Sequence, residues 1–324
     1  MIGIIGSGVM GMSHVATLTG LGGAKVVAVS DPDAVRVAQA AALAGGAKVL
    51  SPEALIADPS VDAVIVVSPD AKHAEQVLAC LAAGKPVLCE KPLATSLADG
   101  AAILRADAGR GLVQVGYMRR FDPDYVDLKQ HLQAGGAGDP LLIRMIHRNA
   151  TAPAFMVGTQ GITNSMVHEF DILRWLIGEE ILRIRVQTPR AAKQGGLIDP
   201  LLAVAETASG ILVEMENSGN VRYGYDIRTE ILGSAGALMM AARPATRRQT
   251  AAGEVISHPA DFTQRFADAY RIQFQDWIAA LAAGKTKGAG SNAWDGYVAM
   301  AVAEAGVAAL QSGDWADVSL PTQF

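Results

Sequence analysis

The first third of the chain alternates short apolar runs with stretches of helical period. "IGIIG" (2–6), "KVVAVSD" (25–31), "DAVIVVS" (62–68), "PVLCEKP" (86–92) and "LVQVG" (112–116) are rich in Val and Ile. Their composition and their Gly, Pro, Ser and Asp boundaries mark them as strands. Between them, residues 9–21, 33–44, 73–84 and 96–108 place apolar side chains at helical spacing. Strands that are apolar on both faces and alternate with helices predict a parallel sheet covered on both sides.

After Gly116 the pattern changes. "RRFDPDYVDLKQHL" reads as a polar helix, "PLLIRMIHRN" (140–149) as a longer strand and residues 165–177 as a helix. Runs at 181–188, 201–208, 210–217 and 226–232 then read as successive strands, two of them joined through Ser209-Gly210 in "ETASGILVE". Such a hairpin signal, among strands with short turns, predicts a large, mostly antiparallel open sheet. The expected fold is therefore α/β, with a first domain over 1–118 and a second α/β domain over 119–324. Helices at 263–282 and 292–311 are compatible with either domain.

Bulk properties narrow the function. The 324 residues are 50% hydrophobic and 18% charged, with a formal net charge of −5. That suits a well-cored globule of two domains. The absence of a basic tract argues against nucleic acid or an anionic membrane as partner. Cys80 and Cys89 form no disulfide framework and have no metal-ligand spacing around them, which points to a reducing compartment and no metal. "MIGIIGSGVMG" opens directly on a strand, leaving no room for a leader, and no apolar run reaches the length of a membrane span. A cytoplasmic location is expected.

The chemistry starts at "GSGVMG". Gly6, Gly8 and Gly11 fall in a G-x-G-x-x-G pattern that follows a strand and opens a helix. In that context the pattern marks a Rossmann dinucleotide site: the backbone must approach a pyrophosphate, and the helix N-terminus favours its charge. Asp31 ends the second strand, where a carboxylate accepts from ribose hydroxyls and repels a 2′-phosphate. The first arginine in "SDPDAVR" is delayed to Arg36, which favours NAD over NADP. Asp31 is also a candidate N-cap for the next helix. The expected cofactor-binding set is Gly6, Gly8, Val9, Met10, Gly11, Asp31, Ser68, His73, Glu90 and Lys91. "CEKP" ends a parallel strand, and ligands of open α/β sheets bind beyond such ends. An ammonium at Lys91 would stabilise a developing alkoxide there; the alternative is a surface lysine held rigid by Pro92.

"TNSMVHEFD" (163–171) sets Asn164, His168 and Asp171 three and four residues apart, on one face if the segment is helical. Met166, Phe170, Leu173 and Ile177 form a separate apolar stripe. His168 is thus a candidate general base, or else the polar side of a buried helix.

In order, "GSGVMG", the "SD" ending strand two, "CEKP", "VGYMRRFDPDY", "HRN", "MVHEFDILRWL", "RYGYDI" and "AWDGY" resemble the Gfo/Idh/MocA oxidoreductase family, most closely its inositol-oxidising branch. The resemblance implies NAD-dependent oxidation of a secondary hydroxyl of a cyclitol or sugar, and a homotetramer built through the open sheet. It makes Lys91 and His168 the catalytic pair. It adds Asn164 to the catalytic set, at the position where the family usually has an aspartate that pairs with the imidazolium; asparagine can hold the histidine's orientation but carries no charge. Substrate contacts are expected from Lys91, Arg119, Asn149, Asn164, His168 and Tyr225. Arg119 could instead pair with a carboxylate such as Asp122, Asn149 could end a strand, and Tyr223 and Tyr225 share a side if "YGYDI" is extended. His14 reads as packing, and His147 gives no signal. The alternatives are a dehydrogenase of an aldose or other pyranose, and a non-catalytic NAD-binding sensor.

Overall fold

The computed structural model describes residues 1–190, 196–240, 248–251 and 253–321. Two compact units emerge: Met1–Met118 with Tyr270–Met300 and Pro321–Phe324, and Arg119–Ala269 with Ala301–Leu320.

The first unit contains β1 (Ile2–Ile5), β2 (Val26–Ser30), β3 (Lys48–Val49), β4 (Ala63–Val66), β5 (Val87–Cys89) and β6 (Val113–Val115). They form a parallel sheet in the order β3-β2-β1-β4-β5-β6. Every residue of β1, β4, β5 and β6 is buried, as a sheet covered on both faces requires. Helices α1 (Val9–Thr19), α2 (Ala34–Leu43), α3 (Pro52–Ala57), α4 (His73–Ala82) and α5 (Leu97–Asp107) connect the strands. Side-chain caps start several of them: Asp33 accepts from the Val35 and Arg36 amides, Ser51 from Ala54 and Ser96 from Asp99. Strand order reverses between β1 and β4, so their carboxyl ends open the crevice where ligands of such sheets bind.

The second unit holds β7 (Pro140–Arg148), β8 (Ile181–Gln187), β9 (Leu201–Thr207), β10 (Leu212–Ser218), β11 (Asp226–Gly233) and β12 (Gly236–Met239). β13 (Arg248–Thr250) and β14 (Gly253–Val255) pair separately, and β15 (Ala316–Asp317) closes the main sheet's far edge. The main order is β12-β11-β7-β10-β9-β8-β15, antiparallel throughout except for the parallel pair β7–β10. Along β7, Ile143, Met145 and His147 are buried while Arg144 is exposed, the two-residue period of a sheet with one covered face. Helices are α6 (Pro123–Gln133), α7 (Val167–Ile177), α8 (Phe262–Arg265), α9 (Ala267–Ala282) and α10 (Ala293–Ser312).

Phe274, Trp277 and Ile278 of α9 pack into the first unit's core with Ile4, Val15, Leu18 and Val29.

Candidate active site

Three glycines of the first unit do different work. Gly6 has φ +108°, and a Cβ there would stand 2.5 Å from the Val67 carbonyl oxygen at the end of β4. A Cβ on Gly11 would collide with the Gly6 carbonyl oxygen. Both are required by the fold itself: a turn no L-residue takes readily, and close seating of α1 on its strand. A Cβ on Gly8 meets nothing within 4 Å. Gly8 is the N-cap of α1, and no side chain caps that end, so its amides are open to an anion. Val9 beside it is 81% exposed, although apolar. This loop fits a dinucleotide pyrophosphate.

Asp31 accepts the Ser7 amide at 2.7 Å and the Asp33 amide at 2.8 Å. It ties the end of β2 to the glycine loop. The N-cap of α2 is Asp33 rather than Asp31, which corrects that alternative reading of Asp31.

Beyond β5, the Lys91 amide donates to Glu90 Oε2 at 3.2 Å. Glu90 is buried, and its Oε1 lies 2.7 Å from His14 Nε2. The His14 ring is wedged against Phe274 and Tyr270, with centroids 5.0 and 5.7 Å away. Burial opposes charge on Glu90, but the hydrogen bond and charge of His14, with Lys91, hold its carboxyl below the usual range. His14 is therefore more than packing: it anchors the residue that precedes Lys91. His73 is buried, with Nδ1 2.7 Å from the Pro92 carbonyl oxygen and Nε2 2.9 Å from that of Ser68. It links the segments that follow β4 and β5, and Ser68 Oγ donates to Gln76 at 2.7 Å.

In the second unit, α7 starts only at Val167, after a π turn over Gly161–Ser165. Asn164 lies on that turn. His168 and Asp171 follow it on the first turns of α7. Asp171 takes the Arg120 fork, with Nε at 3.0 Å and Nη2 at 2.5 Å.

Behind His168 lies a buried polar network. Glu169 Oε1 accepts from Arg119 Nη1, and its Oε2 lies 3.0 Å from His147 Nδ1. Arg119 Nη2 is 3.1 Å from the same His147 nitrogen, and the Tyr225 hydroxyl is 3.2 Å from His147 Nε2. The His147 and His168 rings meet at 6.4 Å, edge to face. Burial opposes charge on Glu169, yet Arg119 and His147 outweigh it and hold its carboxyl below the usual range. Burial pushes the Tyr225 hydroxyl up to about 12, against the pull of Arg119.

This network changes several expected roles. Arg119 is only 1% exposed and is paired with Glu169; Asp122 goes to Arg265, at 2.8 and 2.9 Å. Arg119 is thus held inside the network by Glu169 and His147. Tyr223 and Tyr225 part company, 44% and 3% exposed, because Arg222 (φ +66°) and Gly224 (φ +134°) turn the segment. Asn149 follows β7; its amide donates to Ser218 and its carbonyl accepts from Val221, fixing the chain end beside the network. Sequence reasoning missed His147, Glu169 and Arg120. The inward register of His147 with Ile143 and Met145 was the available signal for the first.

Among the described residues no group of His, Cys, Asp or Glu could hold a metal ion, and no helix is long and apolar enough to cross a membrane. Cys80 and Cys89 are buried and form no disulfide. Burial pushes the Cys80 thiol up to about 12, which leaves it inert.

A parallel sheet with a glycine turn at its switch point and an acidic residue just after β2 is the arrangement of a dinucleotide-binding protein. Residues 1–117 match the family described as "Oxidoreductase family, NAD-binding Rossmann fold", and residues 125–239 match its "GFO/IDH/MocA C-terminal domain". The chain belongs to the Gfo/Idh/MocA family and is an NAD-dependent dehydrogenase acting on a CH–OH group. It is 48% identical to inositol 2-dehydrogenase 1 of Saccharopolyspora erythraea, over 98% of this chain and 96% of that protein. It is 40% identical to inositol 2-dehydrogenase of Mycolicibacterium smegmatis, with 98% and 96% covered. Its fold matches the crystal structure of myo-inositol dehydrogenase from Lactobacillus casei in complex with NAD(H) and myo-inositol. There the TM-score is 0.95 and the identity 31%, covering 100% of this chain and 98% of the other.

Proposed function

We propose that this chain oxidises a secondary hydroxyl of a cyclitol resembling myo-inositol to the ketone. The observation that carries the reading is end-to-end likeness, in sequence and in fold, to enzymes named for inositol. NAD, when bound, accepts the hydride from the carbinol carbon. His168 takes the hydroxyl proton as general base. Lys91 holds the same oxygen and stabilises negative charge on it. Asn164 and Asn149 orient the substrate, while Arg119, Glu169, His147 and Tyr225 hold the ground behind His168. Asn164 brings no charge to an imidazolium, so the Arg119–Glu169–His147 network carries the electrostatics of that helix.

The test is NADH formation from NAD with a panel of inositols, aldoses and other pyranoses, at mildly alkaline pH. Turnover on inositols above all others is expected, with Lys91→Ala lowering it by ~10²–10⁴-fold. Preference for an aldose would replace the substrate class. Silence across the panel with NAD binding intact would favour a non-catalytic sensor, the reading that Asn164 supports.

We also propose a cytoplasmic homo-oligomer formed through the second unit's open sheet face. Leu232 and Leu212 flank Leu142 in one row across β11, β7 and β10. Leu212, Leu232, Leu202 and Met239 are exposed, a density of apolar side chains that a solvated sheet face does not need.

A further inference from the structure

Two tyrosines of one short segment are gripped by consecutive residues of β7, whose side chains leave that strand on opposite faces of the sheet. Residues two apart in an extended chain share a face. Tyr223 and Tyr225 do not, because Gly224 between them takes φ +134°. A Cβ on Gly224 would stand 2.5 Å from His258 Cβ and 2.9 Å from the Pro259 carbonyl oxygen. Glycine permits this turn without choosing it, since both signs of φ are open to it. Side chains make the choice. On the covered face, the Tyr225 hydroxyl lies 3.2 Å from His147 Nε2. The Tyr225 ring meets Phe262 and Phe266 there, with centroids 6.4 and 6.0 Å away. On the open face, Arg148 Nη1 donates to the Tyr223 hydroxyl at 3.0 Å, and that hydroxyl donates to Asp226 Oδ2 at 2.7 Å. Arg148 is itself fixed by a two-pronged pair, with Nε and Nη2 each 2.6 Å from a Glu216 oxygen on β10. Bidentate pairs of this kind set direction as well as energy.

We propose that Arg148 is a positioning residue for the substrate site, acting from the open face of the sheet. With Glu216 it holds Tyr223, and through the Gly224 turn it fixes where Tyr225 presents its hydroxyl. When Tyr223 is released, the glycine turn is no longer held to one conformation. Tyr225 then loses its seat against His147, the ring that meets His168 edge to face. Part of the site's precision is therefore supplied from the far side of the sheet. This inference rests on the cyclitol-oxidising reading above and adds a residue to the site it describes.

The test compares the unaltered chain with Arg148→Met, Tyr223→Phe and the double variant, and takes Arg144→Met as control. Arg144 leaves the same strand on the same face and pairs with Glu214 and Glu230. One readout is kcat/KM for myo-inositol with NAD. The other is deuterium exchange at the Tyr225 amide, which donates to the Pro259 carbonyl oxygen at 2.8 Å and needs no turnover. Arg148→Met and Tyr223→Phe should each lower kcat/KM by about tenfold or more, chiefly through KM, as misplacement of a binding group does. The double variant should fall no further than the worse single one, because both cut the same chain of contacts. Exchange at Tyr225 should quicken in all three. Arg144→Met should stay within about twofold in kcat/KM, and NADH dissociation constants within about twofold throughout. Losses that multiply in the double variant would overturn the proposal, since Tyr223 would then act independently of Arg148. So would an equal loss in Arg144→Met, which would trace the effect to charge on the face, and so would unchanged exchange in Arg148→Met. An unaltered chain that oxidised no cyclitol would take down the substrate reading, while exchange would still decide whether Arg148 holds Tyr225 in place.

Discussion

At the scale of single residues, the Glu169–Arg119 pair is the feature with the largest stake. Both side chains are about 1% exposed, and neither can recover water if its partner goes. Glu169→Gln leaves a buried guanidinium facing a neutral amide, and breaking such a pair costs about 3–5 kcal/mol. Denaturant unfolding should show that loss, and a change under about 1 kcal/mol would mean the pair is not what holds Arg119. The pair also sets a pH dependence with a definite sign. Glu169 releases its proton more readily folded than unfolded, because Arg119 and His147 outweigh the effect of burial. The unfolded chain therefore binds more protons, and stability rises with pH through this group. Its contribution is complete above the unfolded carboxyl value, near 4.5, and is lost as pH falls below that through the lower folded value. The acid limb of the stability curve should be shallower in Glu169→Gln.

At the scale of elements, the glycine loop separates what the fold needs from what the cofactor needs. Gly11→Ala drives a methyl into the Gly6 carbonyl oxygen, so α1 must move off its strand. Overpacking of this kind costs about 1–3 kcal/mol. Gly8 has φ −70° and open space along its Cβ direction, so Gly8→Ala should keep the melting behaviour to within about 1 kcal/mol. It should nonetheless weaken NADH binding by about tenfold or more, because the methyl stands where the pyrophosphate approaches. Melting curves and NADH titration on the two variants decide it; equal loss of stability in both would erase the distinction. The same elements show what the chain pattern discloses. Long Val- and Ile-rich runs in β1, β4 and β5 declare themselves, since burial on both faces demands them. β3 is two exposed residues and α3 one and a half turns, too short for either period to register. The π turn before α7 escapes notice because its bonding reaches one residue further than the 3.6-residue period assumes. Glu169 is masked by its neighbours: between His168 and Phe170 it looks like an ordinary charged helix position, and only the inward aim of Arg119 and His147 makes it a core residue. The parallel β7–β10 pairing joins strands far apart in sequence, where no local signal exists.

At the scale of the whole molecule, the open face of the second unit's sheet argues for association. Register places Leu232, Leu142 and Leu212 side by side, with Glu230, Arg144 and Glu214 in the next row. Arg144 lies 3.8 Å from Glu214 and 4.0 Å from Glu230. Such loose exposed ion pairs contribute little to one chain on its own. A row of leucines, by contrast, covers apolar surface on both sides when it meets its own copy. Turned about a two-fold axis, the same patch meets itself, as isologous interfaces require. Leu212→Glu tests this. Glu206 lies across from Leu212 in the β9–β10 register and Glu214 follows two residues on, so the new carboxylate would be buried among like charges in an assembly and stay hydrated in a lone chain. The variant should therefore fold normally by circular dichroism while light scattering shows a smaller species than the unaltered protein. If the unaltered chain already scatters as a monomer, the oligomer reading falls. If Leu212→Glu keeps the full assembled mass, the contact lies on another surface, and the exposed leucines need a different explanation.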